Sequence, residues 1–153
     1  MSKEHSVQLV HRFFEEVFSK GDRAAASEIL ASDFTFYGPP DGIRGAEGFL
    51  HFSSEIRSAL KVQFKVEVVI VDDEKASALA TMSGEHEKDF HDIPASGVRF
   101  ALPRIDNFRI VDGKINEVRT TFDHRVLLAQ LGSPEEDADE HLQIRGASFA
   151  QRG

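Results

Sequence analysis

The sequence predicts an α+β domain in which a curled sheet, mixed but mostly antiparallel, forms a cone around three N-terminal helices. Three observations lead there. The hydrophobic period is near 3.6 as far as Leu60 and changes to 2 after Val62. The strand-like runs that follow succeed one another through hairpin turns, which excludes the alternating order of a parallel βαβ sheet. Long strands with so little helix to cover them bury an apolar face most economically by curling. A curled sheet has a mouth, and mouths bind small molecules.

Each element has its own signal. Val7, Val10, Phe14 and Val17 recur every three or four residues, with Leu9, Phe13 and Phe18 widening the stripe, so a first helix is expected over 3–20. Gly21 supplies a left-handed stop, and Asp22 caps a short second helix through Ala24, Ala25, Ile29 and Leu30. A short strand over 34–37 runs into the turn-rich loop Gly38-Pro39-Pro40-Asp41-Gly42. After Gly45, Phe49, Phe52, Ile56 and Leu60 mark a third helix. Val62, Phe64, Val66, Val68 and Ile70 then alternate with more polar residues, as a half-buried strand does. Asp72-Asp73-Glu74-Lys75 turns the chain into a strand over 76–88, and 89–97 reads as a loop. Strands over 98–110 and 114–122 meet at Val111-Asp112-Gly113-Lys114, a strong hairpin signal. Val126, Leu127, Leu128 and Leu131 suggest a short helix stopped by Gly132. The domain is therefore expected over 1–132, with 133–153 a C-terminal tail.

Composition narrows the function. At 153 residues, 41% hydrophobic and 29% charged, the chain suits one water-soluble domain. A net charge of −8 argues against a nucleic-acid partner, because phosphate binding needs clustered Lys and Arg. No apolar run approaches the roughly 20 residues needed to cross a bilayer, so no membrane partner is expected. The start, Met1-Ser2-Lys3-Glu4-His5, lacks a secretory pattern, and cytoplasmic residence is the expectation. There is no cysteine, hence neither disulfides nor thiolate chemistry. The acidic run Glu135, Glu136, Asp137, Asp139 and Glu140 reads as a solvated surface. Thirteen Phe against one Tyr and no Trp is the unusual entry, explicable by a Phe-rich core or by a pocket wall.

The run Phe108-Arg109-Ile110-Val111-Asp112-Gly113-Lys114-Ile115, continuing to Phe122-Asp123 and Leu127-Leu128-Ala129-Gln130-Leu131-Gly132, closely resembles the final hairpin of SnoaL-like polyketide cyclases. Gly84-Glu85-His86 and Ile93-Pro94-Ala95-Ser96-Gly97 are similar to that family's Gly-x-His segment and the loop after it. Residues 42–49 resemble its entry into the third helix. The family belongs with nuclear transport factor 2, ketosteroid isomerase, scytalone dehydratase and limonene epoxide hydrolase. The resemblance implies a homodimer of cones with neither metal nor organic cofactor. It implies an acid/base role for Asp123, which matches the last-strand aspartate of the cyclases, and a pocket position for His86. Arg119 stands where the family often has Trp.

Counting in twos from Asp123 puts Thr121, Arg119 and Glu117 on its face if no bulge intervenes. Arg104, Asp106 and Phe108 share a face with Phe100 and Leu102, and His86 shares one with Met82 and Gly84. The expected mouth carries Asp123, His86 and Arg119 as catalytic groups. Arg104, Asp106, Tyr37, Phe108 and Phe34 bind substrate. Such a set suits proton abstraction beside a carbonyl: an apolar wall raises a carboxylate's pKa, a neighbouring arginine opposes that, and Arg or His steadies an enolate oxygen. Each residue has a plainer reading too. Asp123 caps a helix at His124, Arg119 and Arg104 form a cross-strand ladder with Asp106 or Glu117, and His86 is structural. The segment Glu85, His86, Glu87, Asp89, His91, Asp92 has no metal-ligand spacing, so no metal site is expected. The expected activity is cofactor-independent acid/base catalysis on a small apolar carbonyl compound, namely cyclisation, isomerisation or dehydration. A non-catalytic binding protein is the competing class. Epoxide hydrolysis is disfavoured because Glu87-Lys88-Asp89 and Thr120 would replace its Arg-x-Asp and last-strand aspartate.

Overall fold

The computed structural model describes residues 2–38 and 42–132. Pro39, Pro40, Asp41 and the tail over 133–153, with its acidic run, lie outside the described residues. Helix α1 (Lys3–Arg12) starts at Ser2, whose hydroxyl accepts from the His5 amide at 3.1 Å. The expected single helix then changes form. Residues Phe13–Phe18 are π-helical, and the Ser19 amide donates five residues back to the Phe14 carbonyl at 2.9 Å. The wider turn gathers Phe13, Phe14, Val17 and Phe18 onto one buried face, where a 3.6-residue turn would spread them over a broader arc. Helix α2 (Arg23–Ile29) is capped by Asp22, which accepts from the Ala25 amide at 3.0 Å.

Strand β1 (Leu30–Tyr37) begins directly after α2, four residues before the expected Phe34. A two-residue strand, β2 (Ile43–Arg44), precedes α3 (Gly45–Leu60) and had no sequence signal of its own. Strands β3 (Gln63–Asp72), β4 (Lys75–Glu85), β5 (Arg99–Val111) and β6 (Lys114–Thr121) lie close to expectation. Asp112 and Gly113 have φ of 53° and 76°, the paired positive values a type I′ turn requires. Helix α4 (His124–Leu131) ends at Gly132, with φ 104°.

The six strands form one curled, unclosed sheet in the order β2-β1-β6-β5-β4-β3. β1 and β6 run parallel and every other pair is antiparallel, so the sheet is mixed as expected. β5 shows the phase of the inner face most clearly: Phe100, Leu102, Arg104, Asp106, Phe108 and Ile110 are buried while the residues between them are exposed. Most of the phenylalanines make core. Phe13 alone meets Phe14, Phe18, Phe34, Phe49 and Phe108 at centroid distances of 5.2 to 6.4 Å. Gly84 lets the end of α3 approach the sheet, since a Cβ there would sit 2.2 Å from the Leu60 carbonyl oxygen.

Candidate functional site

β6 ends opposite Ile105, so the earlier part of β5 has no β6 partner. Helix α4 lies there. Gln130 stands in for the missing strand, accepting from the Ala101 amide at 3.0 Å and donating to its carbonyl at 2.9 Å. Between α4, α3, the loop after β4 and the inner sheet face is a cavity of about 470 Å³. That volume suits a small organic ligand, for which pockets of roughly 300–1,000 Å³ are usual. Phe18, Phe36, Phe52, Phe90 and Phe122 line it. Arg104, Met82 and Thr120 add polar or polarisable atoms from the sheet, while the exposed Glu55, Asp89 and His91 mark the mouth.

Arg104 and Asp106 form an ion pair 3% and 0% exposed. Nε and Nη2 of Arg104 donate to the two carboxylate oxygens at 2.8 and 2.9 Å, the bidentate geometry that best offsets desolvation. The Thr120 hydroxyl accepts from Nη2 and donates to Asp106 Oδ1. The rings of Phe14, Phe18, Phe64 and Phe122 lie 5.1 to 5.8 Å from the guanidinium carbon. Among the described residues Nη1 has only the Met82 thioether, 3.5 Å away and a weak acceptor. Thus Arg104 lines the cavity and retains donor capacity, while Asp106 stands behind it.

The other expected site residues fall elsewhere. Arg119 and Glu117 do not share the inner face with Arg104. Ile115 and Val118 are the buried residues of β6, Thr120 lines the cavity, and a register shift separates Ile115 from Glu117. The inward count failed because it started from Asp123, which lies beyond the strand as the N-cap of α4 with φ −84° and ψ 99°. Arg119 is 57% exposed, bonds Glu117 at 2.8 Å and covers the Tyr37 ring at 4.1 Å, so both it and Tyr37 belong to the outer face and rim. Phe34 and Phe108 are core side chains, not cavity wall. Asp123 Oδ1 accepts from the Arg125 and Val126 amides at 3.0 and 3.3 Å, between the lining residues Phe122 and His124.

His86 is fully buried outside the cavity lining. Its Nδ1 lies 3.1 Å from Ser96 Oγ and its backbone pairs with Val98 and Gly97, pinning the loop after β4. The residue that sequence reasoning missed is His124. It is half-buried on the cavity wall, and its Nδ1 is shielded without a hydrogen-bond partner among the described residues. Burial pushes its pKa below the usual imidazole range, His91 pushes it the same way, and Asp123 opposes both. Its only sequence signal was adjacency to Asp123. Among the described residues no group of three potential ligands is arranged to hold a metal, and no helix is long and apolar enough to cross a membrane.

Arg104 and Asp106, two apart on β5, are joined by Thr120 of β6, whereas Asp89 of the Glu87-Lys88-Asp89 segment lies at the cavity mouth.

Solved structures share this architecture. A protein from Jannaschia sp. CCS1 assigned as a SnoaL-like polyketide cyclase superposes with a TM-score of 0.79 at 22% identity, covering 88% of this chain and 97% of its own. TsrD from Streptomyces laurentii gives 0.77 at 27% identity over 88% and 99%. IdmH from Streptomyces antibioticus, assigned as a polyketide cyclase, gives 0.72 at 23% over 83% and 98%. No curated protein matches the sequence. The family model for SnoaL-like polyketide cyclases matches residues 8–131, nearly all of the described domain. The chain belongs to the SnoaL-like polyketide cyclase family.

Proposed function

We propose that this protein is an enzyme that performs cofactor-independent acid/base chemistry on a small, largely apolar carbonyl compound, of the cyclising, isomerising or dehydrating kind. The observation that carries this reading is the Arg104 guanidinium set into a cavity walled mainly by phenylalanine and aliphatic side chains. An enolate oxygen forming there meets a guanidinium donor that is paired with Asp106 but sits among aromatic rings, where a hydrogen bond is stronger than in bulk water. The negative charge that accumulates on the oxygen strengthens its bond to Nη1 as the reaction proceeds, which is the differential binding catalysis needs. The corner at Phe122, Asp123 and His124 supplies the proton-transfer capacity. Epoxide opening is less well supported, since Thr120 occupies the place beside Arg104 where a second carboxylate would be needed.

The family's pairing of cones is proposed here as well. On the outer face, Val68, Leu79 and Ile105 lie side by side across β3, β4 and β5 and are 48%, 40% and 46% exposed. A second copy of the chain covering that row would remove it from water.

The test uses 2-tetralone, a neutral bicyclic ketone with enolisable protons, incubated with the protein in D2O. Loss of its α-proton signals by NMR is expected to run well above the buffer rate. It should fall by about a hundredfold in a triple variant, R104M with D106L and T120V, which removes the oxygen donor without stranding a buried charge. An exchange rate equal to buffer would overturn the enzymatic reading, and saturable binding without exchange would favour a carrier.

A further inference from the structure

The acid/base reading leaves open which group holds the proton. Resemblance points to Asp123, but the cavity wall presents its neighbour. Asp123 commits Oδ1 to two amides of α4, an arrangement that fixes where the helix begins. The first residue of that helix, His124, lies on the wall with Phe122 and Leu127. Its Nδ1 is buried and unpartnered among the described residues, so no hydrogen bond locks its tautomer from that side. Across from it stands His91, edge-on, with ring centroids 5.2 Å apart and planes at 90°. His91 is exposed, lines the same cavity and is held in a left-handed backbone conformation with φ 49°. The Phe90 ring also meets it edge-on, with centroids 4.3 Å apart. One imidazole therefore faces the ligand space from the interior and a second joins it to solvent.

We propose that His124 carries the proton in the cavity chemistry and that His91 exchanges that proton with water. The proposal rests on the acid/base reading above and names the group within it. In the step, the α-carbon–hydrogen bond breaks and its electron pair forms the enolate carbon–carbon double bond. The carbonyl π electrons move onto the oxygen at Arg104, and neutral His124 becomes an imidazolium. The proton then returns to carbon or oxygen of the substrate, or passes through His91 to water, so no oxidant or co-reactant is needed. Asp123 is the favourable partner of the imidazolium so formed, and His91, when protonated, opposes it. Glu55 and Asp89 are the other charged groups at the mouth and Arg104 the one deeper in. Because burial and His91 both favour neutral His124, the base form persists to lower pH than in a free histidine. Activity should fall at a pH below the ordinary imidazole range, and the fall should track the His124 ring titration.

The deciding experiment follows 2-tetralone exchange in D2O as a function of pH for wild type, H124Q, D123N and H91Q, alongside NMR titration of the histidine ring signals. Asparagine is itself a good N-cap, so D123N keeps α4. Expected are a loss of about a hundredfold or more in H124Q, a loss within tenfold in D123N, and in H91Q a His124 titration shifted up with the acid limb of the rate profile moving with it. Backbone amide spectra of H124Q, or an H124N variant if the fold is lost, keep the comparison valid. If wild type exchanges and H124Q does too, the proposal fails while the acid/base reading stands. If D123N is the inactive variant, the carboxylate carries the proton. An unchanged His124 titration in H91Q removes His91 from the pathway. If wild type itself shows no exchange, both readings fall together.

Discussion

Replacing Asp106 by leucine would test whether the buried ion pair is held for chemistry or for stability. Asp106 is 0% exposed and neutralises Arg104 through two short bonds. Without it the guanidinium keeps a hydroxyl, a thioether and four aromatic rings, none of which carries a negative charge. Leaving one partner of such a pair uncompensated costs about 3–5 kcal/mol. A domain of this size has a total stability of about 5–15 kcal/mol. At roughly 2–4 °C per kcal/mol for a chain of about 150 residues, the melting temperature of D106L should fall by roughly 6–20 °C. The triple variant, R104M with D106L and T120V, removes both charges and the dependent hydroxyl. It should recover most of that loss or exceed wild type, because desolvating two charges often costs as much as their attraction returns. Thermal and urea unfolding of the three proteins measure the shift in melting temperature and the free-energy loss. The reasoning is refuted if D106L loses less than about 1 kcal/mol, meaning that Arg104 is better solvated than its burial indicates. It is equally refuted if the triple variant is as unstable as D106L, for then the pair is itself a net source of stability.

Two further outcomes follow from the packing. G84A places a methyl group 2.2 Å from the Leu60 carbonyl oxygen and 2.7 Å from the Phe100 ring, so β4 and the end of α3 must separate. A loss of about 2 kcal/mol or more in urea unfolding is expected, at the upper side of overpacking costs. If the chain pairs through this face as proposed, wild type should sediment as a dimer, and L79K, which puts a charge in the middle of the exposed Val68–Leu79–Ile105 row, as a monomer without a change in circular dichroism. An unchanged sedimentation coefficient would place the pairing surface elsewhere.

How far the sequence reached is clearest in β5 and β6. β5 was legible because thirteen residues alternate without interruption, so the phase set by Phe100 and Leu102 carries through Arg104 and Asp106 to Ile110. β6 was not, because its phase was counted from Asp123, two residues past its end, and a register shift opposite Arg109 and Ile110 breaks the count again. Local pattern also located the Asp112-Gly113 turn, the Asp22 cap and the Gly132 stop, each of which depends on one residue's own backbone preference. The π-helical form of residues Phe13–Phe18 escaped, since the two apolar pairs Phe13-Phe14 and Val17-Phe18 fit either helix until their partners are known.

By itself, then, the chain determined the fold class, the family through the resemblance of its closing hairpin, and the shared strand face of Arg104 and Asp106, because alternation, turn chemistry and local motifs act over a few residues. Which wall encloses the cavity was decided only in three dimensions. His124 meets His91 across thirty-three positions of sequence, and Thr120 meets Arg104 from a neighbouring strand. Arg119 turned outward for the same reason: where a strand stops and where it bulges is settled by what packs against it.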